Sequence, residues 1–514
     1  MSAEGVYGRE RVALLTARES AAQDRRARDG GVPERALMEN AGRAAAQVIQ
    51  RLHPEGPVVA VVGSGNNGGD ALVALRSLHA WGRSVSYLSV GSAPPDPSLL
   101  AGFPIRRLED DDVTPALAGA AVIVDGILGT GGSGEPREPA ATVIRRMNGS
   151  GRPIVALDIP TGVDPTTGRV PGIAVRAAAT IEFGWPKTGA LFHPGRSFCG
   201  RLIAVEIGFP PLDDGEWGAA ILTPDWARAR LPGREPDAHK NSVGRVLVVA
   251  GRNGMGGAAA IAGLSAVRAG AGYVRIASVE ANRVLVQSMV PEALFVDRTD
   301  AAAVDEALEN ADAVLIGPAL GTEPADEALL DRVLGGLDGR GCVLDADALT
   351  LLARRDDGLN GLGDRVVATP HPGEMARLTG LSVAGIREDP IERARALAEQ
   401  TGVVVLLKGA PSVVAERGRP VLVSGVGSSD LASAAMGDQL GAETAAFLAA
   451  GADPAAAAGL ALFYGGRTAE LIRRGRGLTP RDLAAELHRA FDDPGPRRSP
   501  LHLPFVLFDQ PPRW

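Results

Sequence analysis

Long apolar runs, basic stretches and cysteine clusters are all missing from this chain. No uninterrupted apolar segment reaches the ~20 residues that a membrane-spanning helix needs, and the alanine-rich run AAFLAAGADPAAAAGLALFYGG is broken by Asp453 and Pro454. The opening MSAEGVYGRERVALLTARES scatters charge where a secretory signal would carry an apolar core. A cytoplasmic location with no membrane partner is therefore expected. Cys199 and Cys342 are the only two cysteines, and neither belongs to a CxxC or Cys/His pattern. That argues against a disulfide framework and a structural zinc, and leaves both as packing residues in a reducing compartment. Lys and Arg number 53 against 61 Asp and Glu, a formal net charge of -8, with no basic run. This argues against a nucleic-acid surface, so any anionic ligand must be held locally.

What is present is the composition of a globular protein: 514 residues, 45% hydrophobic and 22% charged. A chain of that length has room for roughly two to four domains with sizeable cores. Strand-like runs alternate with helical segments throughout: VVAVVG, SVSYLSV, AVIVDGI and PIVALDI early, then RVLVVAG, YVRIAS, AVLIGP, GCVLDA, RVVATP and VVVLLKG. Such alternation predicts α/β architecture, with parallel sheets covered by helices on both faces. Between the two sets lies FPPLDDGEWGAAILTPDWARARLPGREPDAHKNSVG, rich in proline, glycine and charge, which reads as a linker. The ending PGPRRSPLHLPFVLFDQPPRW reads as a proline-rich tail packed on a domain surface. The expected division is a first domain over 1–215, a second over 222–493, and the tail over 494–514.

Each half opens with a strand and a glycine-rich turn. In the first, GSGNNG (Gly63 to Gly68) has the spacing G-x-G-x-x-G between a predicted strand, Val58–Val62, and a helix predicted to begin near Asp70. Glycines there let backbone N–H groups approach a phosphate, and the helix start adds partial positive charge. The dinucleotide fingerprint also wants an acidic residue about 20 positions on, and SVSYLSVGS offers none. Phosphate binding and a purely structural glycine turn both fit the spacing. The side chains of Asn66, Asn67 and Asp70 suggest further contacts.

The order of several motifs is more specific than any one of them. LMENAGRAAA (37–46), GSGNNGGD, VDGILGTGGSGEPREP (124–139), VALDIPTGVDPTTGRV (155–170) and FGWPKTGALFHPG (183–195) closely resemble the NAD(P)H-hydrate epimerases, over nearly all of 12–210. HKNSVGRVLVVAGRNGMGGAAA (239–260), IGPALG (316–321), VLDADAL (343–349), TPHPGE (369–374), LKGAPSVV (407–414) and MGDQL (436–440) resemble the ADP-dependent NAD(P)H-hydrate dehydratases, over roughly 222–492. The resemblance implies a Rossmann-like three-layer first domain and a ribokinase-like second domain. The glycine loop would then hold a hydrated nicotinamide dinucleotide, NADHX or NADPHX, as substrate rather than redox cofactor. A homo-oligomer is also expected.

In the hydrate, water has added to the dihydronicotinamide ring at C6, giving R and S forms, and their interconversion needs proton transfer that one placed carboxylate can mediate. By the resemblance that carboxylate is Asp158, at the end of an apolar strand where open α/β sheets bind ligands; the lesser alternative is a carboxylate that merely caps the following turn. The resemblance further implies a potassium ion on Asn67, Asp125 and Thr161, all oxygen donors. It implies substrate contacts from Asn66, Asn67, Gly68, Gly69 and Asp70, and from the loop Gly129, Thr130, Gly131, Gly132, Ser133, Gly134 and Glu135. In the second half it implies Asp438 as the base that lets ADP phosphorylate the hydroxyl, with Gly437 in an anion hole at a helix start. A helix-start Asp is also a common N-cap. The nucleotide turn would be Lys408, Gly409, Ala410, Pro411 and Ser412, the substrate contacts Ala258, Gly321 and His371, and the cosubstrate ADP with Mg²⁺. Asp345 and Asp347 form an acidic pair that fits either water-mediated magnesium or structural hydrogen bonding.

Some positions depart from the family pattern. DLASAAMGD carries Ala434 and Ala435, and IGPALG carries Ala319, where glycine is usual; Ser428 and Asp430 stand where asparagine and glycine are common. Alanine at a position needing positive φ costs about 1–2 kcal/mol. Two rival readings follow from the same residues: a ribokinase-like small-molecule kinase in the second half, and a binding module without chemistry in the first. HPGE and KGA favour the dehydratase, and the joint presence of Asn67, Asp125 and Asp158 favours catalysis.

Overall fold

Successive side chains of a strand point to opposite faces, and in Val58–Val62 all of them are buried. Val58, Ala60 and Val62 join a core with the helices Glu34–Leu52 and Asn66–Ala80. Val59 and Val61 join a second core with the helices Asp110–Gly119 and Ala140–Gly149. One strand buried on both faces thus dictates three layers. The protein is described by a computed structural model covering residues 10, 12–91, 96–132, 134–212, 215, 217–496 and 498–511.

The chain divides into two compact units, Met1–Gly218 with Pro496–Trp514, and Ala219–Gly495. In the first, the sheet runs in the order Val506–Gln510, Arg201–Val205, Ala179–Phe183, Ile154–Leu157, Val122–Gly126, Val58–Val62, Val85–Ser89, Arg106–Arg107. All pairs are parallel except the outermost, Val506–Gln510 against Arg201–Val205. The order reverses direction beside Val58–Val62, which creates the crevice at the strand C-termini where such sheets bind ligands.

In the second unit the order is Ala219–Leu222, Val421–Ser424, Val413–Ala415, Val404–Leu407, Val366–Ala368, Gly341–Leu344, Ala313–Ile316, Arg245–Val249, Tyr273–Ser278, Leu294–Asp297. Val404–Leu407, Val413–Ala415 and Val421–Ser424 form an antiparallel meander, and the other pairs are parallel. The alanine-rich helices Met436–Ala449 and Pro454–Ile472 are buried in its main core.

Every apolar run singled out above contains a strand, but three expectations are corrected. The helix after the glycine loop begins at Asn66, not near Asp70, because Gly65 caps it in an extended conformation; Asn67 and Asp70 therefore lie on its first turns. The expected linker contains strand Ala219–Leu222 and helix Pro224–Arg230, both in the second unit. The tail is a sheet strand of the first unit, not a surface wrapping: Asp509 accepts two 2.7 Å hydrogen bonds from Arg201 and one from Ser499, and Arg196 donates to the Pro511 carbonyl at 2.9 Å. Residues 1–215 thus lack their sheet's last strand.

Candidate active sites

At the first unit's switch point the strand ends deliver Gly63 and Asp158 to one cavity of about 750 Å³, while Asp125, at the end of the neighbouring strand, is fully buried and outside its lining. Its lining includes Asn66, Asn67, Asp70, Gly129 to Gly132 and Asp158. Backbone approach explains two glycines: a Cβ on Gly63 would fall 2.1 Å from the Ile127 carbonyl oxygen, and one on Gly68 2.0 Å from that of Gly63. Gly68 and Gly69 lie outside the lining, Gly69 pressed on Met38. Gly134 and the exposed Glu135, which lies against Gly172, are also outside it, and Ser133 is not among the described residues. In the loop, the Thr130 N–H donates to Asp158 Oδ2 at 2.9 Å and the Gly132 N–H to the Gly129 carbonyl at 2.9 Å. Neither donor is free for a phosphate in this conformation.

Asp158 holds the centre. Its backbone is left-handed at φ 66, a conformation Asp tolerates better than most residues and one that collects at functional sites. Lys187 Nζ lies 2.8 Å from Asp158 Oδ1 and 2.6 Å from the Phe183 carbonyl, with the lysine side chain 1% exposed. Burial pushes the Asp158 carboxyl up, but the Lys187 charge and the hydrogen bonds from Lys187 and Thr130 outweigh it and hold it below the usual carboxylate range. Asp70 is pushed well above that range by burial, then by Asp158 and Asp24. The cavity thus carries one carboxylate held ionised and one held toward its protonated form.

Beside them Asp125 is fully buried: Oδ1 accepts from Thr161 Oγ1 at 2.8 Å and Ile127 N at 3.2 Å, and Oδ2 from Thr161 N at 2.8 Å. Burial raises its carboxyl to about 6. Both amide atoms of Asn67 are buried without a partner. An orphaned amide oxygen, a hydroxyl and a carboxylate with no cationic partner form an oxygen donor set that fits a monovalent cation.

In the second unit the C-terminal ends of neighbouring parallel strands bring together Gly321, Asp345, Asp347, Thr369, His371 and Lys408. Lys408 Nζ donates to Asp345 Oδ1 at 2.6 Å, and Thr369 Oγ1 to the same oxygen at 2.7 Å. Asp347 Oδ2 accepts from Gly321 N at 2.9 Å, so both members of the acidic pair make structural hydrogen bonds. Gly321 sits at φ +103, and a Cβ there would fall 2.2 Å from Asp326 Oδ2. Ala258 lies in the first turn of helix Gly256–Arg268, which follows strand Arg245–Val249.

Asp438 occupies the first turn of helix Met436–Ala449. Burial raises its carboxyl to about 6, with Asp345 and Asp347 adding to the rise and Lys408 opposing it. A Cβ on Gly437 would lie 3.2 Å from Lys408 Nζ, which places that ammonium at the helix start. Burial works against the Lys408 charge, yet Asp345, Glu374 and Asp438 raise its pKa. The turn after Lys408 is closed by Ser412, which exchanges 3.1 Å hydrogen bonds with Gly409, leaving Gly409 and Ala410 exposed and Pro411 buried. His371 caps helix Pro372–Thr379: its Nδ1 accepts from Gly373 N at 2.9 Å, and its Nε2 lies 3.4 Å from Glu374 Oε1.

Family comparison decides between the readings these sites leave open. Residues 34–189 match the family model described as YjeF-related protein N-terminus, and 246–489 match that described as NAD(P)H-hydrate dehydratase. A bifunctional NAD(P)H-hydrate repair enzyme of Salinibacter ruber is 38% identical over 92% of this chain and 94% of its own. Like-named enzymes of Moorella thermoacetica and Escherichia coli are each 35% identical, covering 90% and 88% of this chain and 93% and 88% of theirs. The chain belongs to the bifunctional NAD(P)H-hydrate repair enzymes. A ribokinase-like superfamily protein of Enterococcus faecalis, 23% identical with TM-score 0.50 over 56% of this chain and 99% of its own, shares the second unit's fold. A hypothetical protein of Streptococcus mutans is 26% identical with TM-score 0.50 over 53% of this chain and 99% of its own.

Sequence reasoning on this repair enzyme missed three groups: Lys187, Asp24 and Glu374. Lys187 and Glu374 stood inside quoted motifs without a role. The signal for Lys187 was a lysine in FGWPKTGALF, where nearly every neighbour is buried. Asp24, on helix Ala17–Asp29, had no motif of its own.

Proposed function

We propose that the first unit interconverts the R and S hydrates of NADH and NADPH with Asp158 as acid/base, and that the second dehydrates the S form at the expense of ADP with Asp438 as base. The observation that carries the first assignment is Asp158 on the wall of the cavity with the buried Lys187 ammonium 2.8 Å from its Oδ1. Asp158 takes or gives the proton at the ring hydroxyl, and Lys187 keeps it ionised between turnovers. Asn67, Asp125 and Thr161 would hold potassium, which supplies positive charge next to the bound substrate.

In the second unit, hydroxide is a poor leaving group, so the hydroxyl must first become a phosphate ester. Asp438 removes its proton as the oxygen attacks the β-phosphorus of ADP, giving AMP. Departure of phosphate together with a ring proton then restores the dihydropyridine. The N–H groups at the start of helix Met436–Ala449 and the Lys408 ammonium face the transferring group. Gly409 to Ser412 form the nucleotide turn, and Mg²⁺ bound with ADP neutralises its diphosphate. The two buried thiols suit the reducing cytoplasm.

Given an R/S mixture, ADP and Mg²⁺, the wild type is expected to convert nearly all of it to NAD(P)H, read by dihydronicotinamide absorbance. Asp158→Asn should show a fast phase equal to the S fraction and then a slow phase set by spontaneous epimerisation. Adding the full-length Asp438→Asn variant should restore the fast conversion, since each variant keeps the site the other lacks. A single fast phase in Asp158→Asn alone would remove Asp158 from the acid/base role.

A further inference from the structure

Strand Ala179–Phe183 sends Ile181 into the helix-covered core of the first unit and Glu182 to the opposite face. A carboxyl group on that face, 0% exposed, needs a reason. One of its oxygens has a clear partner: Oε1 accepts the backbone N–H of Lys187 at 2.8 Å. The other, Oε2, is buried with no hydrogen-bond partner. The charged and titratable groups around it are Lys187, Asp158, Arg196 and Cys199. The Arg196 guanidinium is committed elsewhere, to the carbonyls of Gly200 and Pro511, and its Nε is itself buried and unpartnered.

Lys187 therefore stands between two carboxyl groups. Its ammonium pairs with Asp158 Oδ1 at 2.8 Å and its backbone is tied to Glu182. We propose that Glu182 is a positioning residue of the epimerisation site: its carboxyl fixes the bend that aims Lys187 at Asp158, and its protonation state decides whether that ammonium balances one carboxylate or two. The inference rests on the reading of Asp158 as the acid/base.

With Glu182 protonated, the Lys187 charge belongs to Asp158 alone. Once Glu182 ionises, a second negative charge faces the same ammonium and repels Asp158, whose proton affinity rises. Burial is the largest influence on Glu182 and raises its carboxyl to about 8, against the pull of Lys187. The switch therefore falls in the alkaline range, far from the ordinary titration of a carboxylate, and the epimerisation rate acquires a step there that Asp158 by itself does not produce.

The test is the pH dependence of R/S exchange of NADH hydrate by the full-length protein, measured without ADP so that dehydration is silent. Wild type is expected to show an inflection at about 8. Glu182→Gln keeps the acceptor for the Lys187 N–H but cannot ionise, and its profile should lack the inflection. Glu182→Asp, which keeps the charge one methylene further back, should retain an inflection. The thermal unfolding transition of the first unit reports whether each variant is folded, since S-hydrate dehydration reads only the second unit, and Glu182→Asp carries the test if Glu182→Gln is not. An unchanged inflection in folded Glu182→Gln, or none in wild type, overturns the proposal while leaving Asp158 in place. Undiminished exchange by Asp158→Asn overturns the acid/base assignment and this inference with it.

Discussion

Replacing Ala435 by glycine should stabilise the second unit, and replacing its neighbour Ala434 should do the reverse. Ala435 is the N-cap of the helix that carries Asp438 and lies at φ 65, in the left-handed region. Ala434 is not among the positive-φ residues. The left-handed conformation costs an L-residue roughly 1–2 kcal/mol that glycine avoids. Glycine's freer unfolded chain takes back about 0.4–1 kcal/mol, so Ala435→Gly should gain roughly 1 kcal/mol. For a unit the size of Ala219–Gly495, that corresponds to a rise of about 2 °C in Tm. At Ala434 no strain is relieved, so glycine leaves only the unfolded-state cost, a loss of roughly 0.4–1 kcal/mol. Differential scanning fluorimetry of the two single variants reads the opposite signs directly, and the ADP-dependent rate of Ala435→Gly should be no lower than wild type. Ala319, at φ 46, should follow Ala435. A lower Tm for Ala435→Gly, or shifts of equal sign at both positions, would refute the assignment of strain to a single residue.

Asp438→Asn should abolish ADP-dependent recovery of NADH and leave R/S exchange intact, since a general base commonly contributes ~10²–10⁴-fold. In wild type, dehydration should rise as pH climbs through about 6, where the base loses its proton, and level off above it. For the cation site, Thr161→Ser should keep a potassium-dependent exchange rate, whereas Thr161→Val, which removes the hydroxyl now bonded to Asp125, should make exchange slow and insensitive to replacing potassium by a bulky organic cation; equal potassium dependence in both variants would count against the site. Deleting Pro496 onward should lower the unfolding temperature of the first unit and promote aggregation, because it uncovers edge strand Arg201–Val205 and leaves Arg201 without Asp509, whose side chain is 2% exposed. The deletion removes a sheet strand together with the two Arg201–Asp509 hydrogen bonds, so an unchanged first-unit transition would contradict the structural role of the tail.

The runs that announced strands in the sequence were those of the central parallel sheets, and there is a physical reason. A strand covered on both faces is apolar at every position, as in Val58–Val62 and Val404–Leu407, so it stands out without any knowledge of its partners. Strands Ala219–Leu222 and Val506–Gln510 lie at the margins of their sheets. They are short, sit among prolines, and pair with segments hundreds of residues away, so nothing local distinguishes them from loop. Charged groups follow the same division. Asp158 and Asp438 were legible because each ends an apolar strand or opens a helix inside a longer motif.

Lys187 and Glu182 were not legible as a pair, since both residue types are ordinarily exposed and their burial is decided by the sheet and the segment after it. His371 shows the limit from the other side. Its motif marked it for substrate, yet in the folded chain its Nδ1 is engaged by the N–H groups of Gly373 and Glu374, so only Nε2, 3.4 Å from Glu374 Oε1, is left to reach a ligand. A motif therefore identifies which residues meet at a site; the hydrogen bonds made on folding decide which of their atoms remain for chemistry. By the same reasoning the loop Gly129 to Gly132, proposed to meet the substrate, offers fewer donors than its sequence suggests, because two of its N–H groups already serve Asp158 and the loop itself. A phosphate bound through the Thr130 N–H would have to release that donor from Asp158, and under the proposed acid/base role that exchange would couple phosphate binding to the basicity of Asp158.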